Sequence, residues 1–260
     1  MGGGMEHASA IFYGEKSVTN RPASGLVAHE ISHQWFGDSI TEKDWDDAWL
    51  SEGFATYFAA LTTEFYEGRD PFVASMKRSL TGILGMEKRT PDVAVIHDNL
   101  PEIQNGRAPV GIVYQKGGWA LHMLRGVIGT EKFWAGIREY YRRYRDSNAS
   151  TEDFRQVMEE ASGVKLDWFF SQWLRRAGSP VVEGAWNYNA AAKCVEIDLT
   201  QTQSGNAFRL PLEISVGGKI ERIEMTGKTQ RFTIASDKEP ASVELDPNTW
   251  VLMDAKFAKR

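Results

Sequence analysis

The sequence has a single cysteine, Cys194, in 260 residues. A disulfide within the chain is excluded, so disulfides do not staple this fold. It has no apolar run approaching the roughly 18 residues that a membrane-spanning helix needs, which excludes a helical span. It also lacks an excess of positive charge. Its 30 Lys and Arg against 35 Asp and Glu give a formal net charge of -5, which argues against a nucleic-acid binder held by phosphate contacts. The mild acidity runs through both halves, with no basic tail or acidic arm. Residues 1-7 carry neither the basic nor the apolar region of a secretory signal. One cysteine suits the cytoplasm without excluding export, so the compartment stays open. Internal repeats and low-complexity segments are missing too. The remaining composition, 42% hydrophobic and 25% charged, is that of a globular protein rather than a collagen-like, disordered or coiled-coil chain.

Two regimes meet near residue 180 and predict an α+β chain. One part, 1-180, is mainly helical, and the other, 181-260, is a small antiparallel β-sandwich. A strand is expected over 8-18. A helix opened by Pro22 and Ser24 runs to about Trp35, followed by helices over 45-67, 71-88, 111-128, 131-145, 151-161 and 167-177. Three prolines make 89-110 an irregular loop. Ser150 with Asp153, Thr130 and Asp167 are N-cap candidates. From Ala185 the hydrophobic period changes to two, as in Val195, Ile197 and Leu199. Gly217-Gly218 and Gly227 mark turns.

The sharpest chemical signal is His29-Glu30-Ile31-Ser32-His33. On a helix, residues four apart share a face, so both imidazoles can reach one metal ion. Zinc takes neutral imidazole readily, and Glu30, one step round the helix, suits a general base. A catalytic zinc site with an open position needs a third protein ligand. Glu52, in Trp49-Leu50-Ser51-Glu52-Gly53-Phe54-Ala55, can supply it from the following helix. It sits in an apolar run where a carboxylate needs a partner. Asp47 is a candidate partner for a ligand imidazole, with a solvated charge at a helix start as the competing reading. His122 beside Leu121 and Leu124 reads as packing. Arg142, Arg143 and Arg145 read as a helix surface.

HExxH, eighteen intervening residues and a Glu inside WLSEGFA resemble the aminopeptidase N family, peptidase family M1, of gluzincin zinc metallopeptidases. Gly3-Gly4-Met5-Glu6-His7 is similar to that family's GxMEN motif, and Val113-Tyr114-Gln115-Lys116-Gly117 to the segment with its catalytic tyrosine. The resemblance is strong over about 1-180 and implies a thermolysin-like domain followed by a β-sandwich. It implies one Zn2+ held by His29, His33 and Glu52, with Glu30 as general base and later acid toward the leaving amine. Tyr114 would hydrogen-bond the oxyanion. Glu6 would hold the free α-amino group of a peptide substrate, and the backbone of Gly3, Gly4 and Met5 would line its approach. His7 stands where the motif has Asn. The resemblance further implies an N-terminal β-domain and sheet strands ahead of GxMEN, which here begins at residue 3. Self-association through surfaces they would cover is then expected. An epoxide hydrolase of the same family and a zinc-stabilised scaffold without catalysis are the rival functions.

Overall fold

The computed structural model describes residues 3-17, 24-99, 101 and 111-260. Pro22, and residues 100 and 102-110 of the loop expected over 89-110, lie outside the described residues. The chain divides into two compact units, Met1–Gly178 and Ser179–Arg260.

Helices dominate the first unit. They are α1 Ser24–Ser32, α2 Trp49–Glu67, α3 Arg69–Arg89, α4 Gly111–Ile128, α5 Thr130–Tyr144, α6 Thr151–Ser162 and α7 Asp167–Leu174. Helix α2 buries Trp49, Leu50, Gly53, Phe54, Tyr57 and Leu61, the spacing of one helical face. Helix α4 is buried almost all round, including Trp119, Ala120, Leu121, Met123 and Leu124, as befits a central helix. The two pack tightly because both are glycine at the crossing. A Cβ on Gly53 would lie 2.8 Å from the Gly117 carbonyl carbon. Phe54 anchors an aromatic core, with ring centroids 4.5 Å from Phe36 and 5.1 Å from Phe154. Helix α6 starts with the expected capping box of Ser150 and Asp153 and ends at Gly163 in the left-handed conformation.

Several boundaries differ from the sequence reading. Only Phe12–Tyr13 (β2) of the expected strand 8-18 is extended, paired with Gly4–Met5 (β1). Ser9 at φ +65° and an Ala10 N–H bond to the His7 carbonyl turn the chain before it, and a 3-10 turn, Glu15–Ser17, follows. Helix α1 stops at Ser32 rather than Trp35. The expected helix over 45-67 is broken at Ala48, after a 3-10 turn over Trp45–Asp47 capped by Asp44. Helix α7 ends at Leu174. Gly129 and Leu166, not Thr130 and Asp167, occupy the N-cap positions of α5 and α7. Strands Ile40–Glu42 (β3) and Ser147–Ala149 (β4) form a short parallel pair. His122 is fully buried, its Nδ1 3.3 Å from the Tyr57 hydroxyl. Arg142 and Arg143 pair with Glu139 and Glu160 on the surface.

The second unit contains two sheets. One orders Asp254–Lys259 (β11), Val181–Asn189 (β5), Cys194–Gln201 (β6) and Thr229–Ala235 (β9). The other orders Val243–Leu245 (β10), Leu210–Val216 (β7) and Lys219–Met225 (β8). Alternate burial along β6, with Val195, Ile197 and Leu199 inward, is the period-two pattern of a half-buried strand. Gly217 and Gly218, at φ +57° and +90°, close the β7–β8 hairpin, a turn that needs positive φ at both positions. The sheets are not wholly antiparallel: β11 runs parallel to β5.

Candidate active site

Helix α1 carries the first two chemical groups. The His33 N–H still bonds the His29 carbonyl at 3.3 Å after the helix loosens at Ser32, so the two imidazoles keep helical spacing. Their Nε2 atoms lie 3.1 Å apart. Helix α2 places Glu52 Oε2 3.2 Å from His29 Nε2 and 3.4 Å from His33 Nε2.

These three atoms form a nearly equilateral triangle. A tetrahedral ion with ligands at about 2.0–2.1 Å has ligand–ligand edges of about 3.3 Å, which the triangle matches. Glu52 Oε2 is also buried without a hydrogen-bond donor. A buried oxygen of this kind calls for a ligand. The donor set and spacing therefore fit a single metal ion. Burial by itself would raise the Glu52 carboxyl, but the facing imidazoles and the Tyr114 hydroxyl hold it at about 2. Burial would lower the His33 ring, and Glu52 opposite reverses that.

The far side of His33 is tied down. Its Nδ1 is 3.1 Å from the Phe36 carbonyl and 3.0 Å from Ser51 Oγ. A nitrogen so held leaves Nε2 free to face the triangle. Asp47, the expected partner, is elsewhere: it accepts from the Thr151 hydroxyl at 2.6 Å and the Thr151 N–H at 3.2 Å. It caps the start of α6 rather than orienting an imidazole. Ser51 escaped the sequence reading, although a serine in an otherwise apolar helix face needs a partner.

Glu30 is buried and its carboxyl raised, first by burial and further by Glu6 and Glu52, against the pull of the two histidines. It rests on the backbone of β1. A Cβ on Gly4 would come within 2.4 Å of the Glu30 carboxylate, so a side chain here would displace the Glu30 carboxylate. Gly3, at φ +106°, has open space around it and is glycine for its backbone alone. One oxygen each of Glu6 and Glu30 and a ring nitrogen of His33 lie within 4.8 Å of one another. Tyr114, on α4, stacks on His29 with centroids 6.1 Å apart. Its hydroxyl is held well above the usual tyrosine range by burial and by the Glu52 carboxylate.

All of these groups face one cleft of about 530 Å³, lined by Gly3, Gly4, Met5, Glu6, His29, Glu30, His33, Glu52 and Tyr114 among others. Of the candidate residues from the sequence, these nine are thus brought together and Asp47 is not. Two residues after Tyr114, Lys116 is fully buried and donates to Glu87 at 2.8 Å and to the Gly178 carbonyl at 2.7 Å. This anchors α4 against α3 from behind.

Known proteins are similar to this chain. The family model described as "Peptidase family M1 domain" matches residues 1-173. Probable aminopeptidase 2 of Sulfurisphaera tokodaii is 30% identical over 94% of this chain and 33% of its own length. Aminopeptidase N of Lactococcus lactis is 30% identical over 89% of this chain and 29% of its own length. The chain therefore spans a third or less of the length of these relatives. A crystal structure of Legionella pneumophila aminopeptidase A in complex with aspartic acid superposes with a TM-score of 0.79 at 20% identity. It covers 98% of this chain and 30% of that one, a likeness of fold. With the family model matched across residues 1-173 of 260, this chain belongs to peptidase family M1.

Proposed function

We propose that this chain carries the catalytic centre of a zinc-dependent aminopeptidase, which removes the first residue of a peptide with a free N-terminus. The observation that carries this reading is the Glu6 carboxylate, set within 4.8 Å of the Glu30 carboxylate and the His33 ring. Among the described residues no lysine or arginine forms an ion pair with this second negative group beside the candidate base. A substrate ammonium would neutralise it. An amine held there brings only the first peptide bond to the triangle.

His29, His33 and Glu52 would hold the zinc ion, which supplies Lewis-acid polarisation of the bond to be cut. Glu30 takes the proton of the attacking water and returns it to the leaving nitrogen. Its raised carboxyl suits that double task. Tyr114 keeps its proton over the working range, because burial and Glu52 hold it high. It donates a hydrogen bond to the carbonyl oxygen as negative charge develops there. We further assign 1-180 as a thermolysin-like catalytic part and 181-260 as a β-sandwich. The division after Gly178 and the alternating burial of β6 support this assignment.

The test is hydrolysis of aminoacyl-anilides with and without a chelator, alongside Glu30→Gln. Chelator-sensitive turnover is expected, with Glu30→Gln binding zinc as the wild type does and losing turnover. Turnover that survives either the chelator or Glu30→Gln overturns the assignment.

A further inference from the structure

Glu6 stands just past the end of a very short ladder. Strand β1 is two residues long, and its last pair is Met5 with Phe12. Beyond it the chain turns sharply through Ser9 at φ +65°. The sheet therefore does not fix the segment that bears Glu6. Gln34 does. Its Nε2 donates to the Glu6 carbonyl at 2.9 Å and to Asp38 Oδ2 at 2.6 Å, and its Oε1 accepts from the Ser9 N–H at 3.3 Å. The partners settle the orientation of the amide: a carbonyl and a carboxylate need donors, and an N–H needs an acceptor. Both ends of the carboxamide are in use.

Gln34 directly follows His33, whose Nε2 is a corner of the ligand triangle. The clamp therefore ties the Glu6 segment to the metal-ligating turn within one residue of a ligand. The separation between an amine held by Glu6 and a carbonyl at the triangle decides which peptide bond is presented. An error of about 1 Å in such a placement costs up to about a hundredfold in rate.

We propose that Gln34 is the positioning residue that sets this separation, and with it the preference for a free N-terminus. The proposal rests on Glu6 being the amine anchor. The test uses the whole chain as wild type, Gln34→Ala and Gln34→Glu. Gln34→Glu keeps the size and the acceptor toward Ser9 but turns an oxygen toward the Glu6 carbonyl and Asp38. Three readouts are taken: hydrogen exchange of backbone amides 4-9, kcat and KM on paired peptides with free and N-acetylated termini, and zinc content. In both variants exchange over 4-9 is expected to rise, and discrimination for the free amine to fall about tenfold or more. Most of the loss falls in KM, with zinc content as in the wild type. Combined with Glu6→Ala, neither variant should lose further discrimination. Where Gln34→Ala fails to fold, Gln34→Glu decides. Unchanged exchange, or unchanged discrimination, in Gln34→Glu overturns the proposal. A wild type that does not discriminate overturns the anchor reading of Glu6 itself. That failure is distinct, because the exchange readout still reports whether the clamp holds the segment.

Discussion

Gly53→Ala would probe how the α2–α4 crossing holds the site. The new Cβ would lie 2.8 Å from the Gly117 carbonyl carbon, 3.0 Å from its Cα and 3.2 Å from the Gly118 nitrogen. Carbon contacts settle at about 3.5–4.0 Å, and all three neighbours are backbone atoms that cannot rotate away. The helices must part by about 0.5–1 Å. Overpacking of this kind costs about 1–3 kcal/mol, and the better helix propensity of alanine returns up to about 1 kcal/mol. A net loss of about 1–2 kcal/mol is expected. The displacement matters more than the energy. Glu52 adjoins Gly53, and Tyr114 sits one turn before Gly117. His29 and His33 belong to α1 and stay behind. Metal sites tolerate ligand shifts of only about 0.2 Å, so zinc affinity should fall about tenfold to a hundredfold. Chelator competition reads the affinity, and urea denaturation the stability. Gly82→Ala in α3 is the control, because a Cβ there meets nothing within 4 Å, and it should be as stable as the wild type or slightly more so. A Gly53→Ala protein with wild-type affinity and stability would refute the reasoning.

Ser51→Ala removes one of the two groups on His33 Nδ1 and leaves the Phe36 carbonyl at 3.1 Å. Zinc affinity is expected to drop about tenfold with little change in melting temperature, and an unchanged affinity in chelator competition would count against it. Burial lifts the Glu42 carboxyl to about 7. Folding then favours its protonated form, and that contribution is full below about pH 4.5 and lost as the pH rises through about 7. In metal-free protein, Glu42→Gln should therefore be more stable than the wild type by up to about 2–3 kcal/mol at pH 8–9, the gap closing toward pH 4.5. A gap that does not change with pH in denaturation series contradicts this. Val27, Ile31 and Trp35 lie on one face of α1 and its following turn and are 38%, 43% and 48% exposed. Concentration-dependent association is expected, weakened by Ile31→Lys. Light scattering that shows a monomer at every concentration disproves it.

The local signals were strong where a residue's task depends on its neighbours in sequence. The i,i+4 spacing of His29 and His33, the capping box at Ser150 and Asp153, and the Gly217-Gly218 turn all express backbone geometry repeated over a few residues, and the structure carries each. Boundaries were less legible. Helix α1 gives way to tighter turns, Trp35 N–H to the Ser32 carbonyl, and β2 is preceded by the turn of Ala10 N–H to the His7 carbonyl. Neither reading of Asp47 named its partner: Thr151 is 104 residues away, and no local pattern announces it.

By itself the sequence singled out the candidates: the side chains proposed to ligate, the one proposed as base, and the order of helices before strands. Those properties follow from residue type and short periodicity. Only the tertiary structure decided how the groups meet. The triangle with edges of 3.1–3.4 Å joins side chains of α1 and α2, and glycines at 53 and 117 let α2 and α4 touch beside it. Gly4 yields its side-chain volume to Glu30, and Gln34 reaches back 28 residues to hold Glu6. Each of these is a steric or hydrogen-bonding condition between segments far apart in the chain, set by packing rather than by local preference.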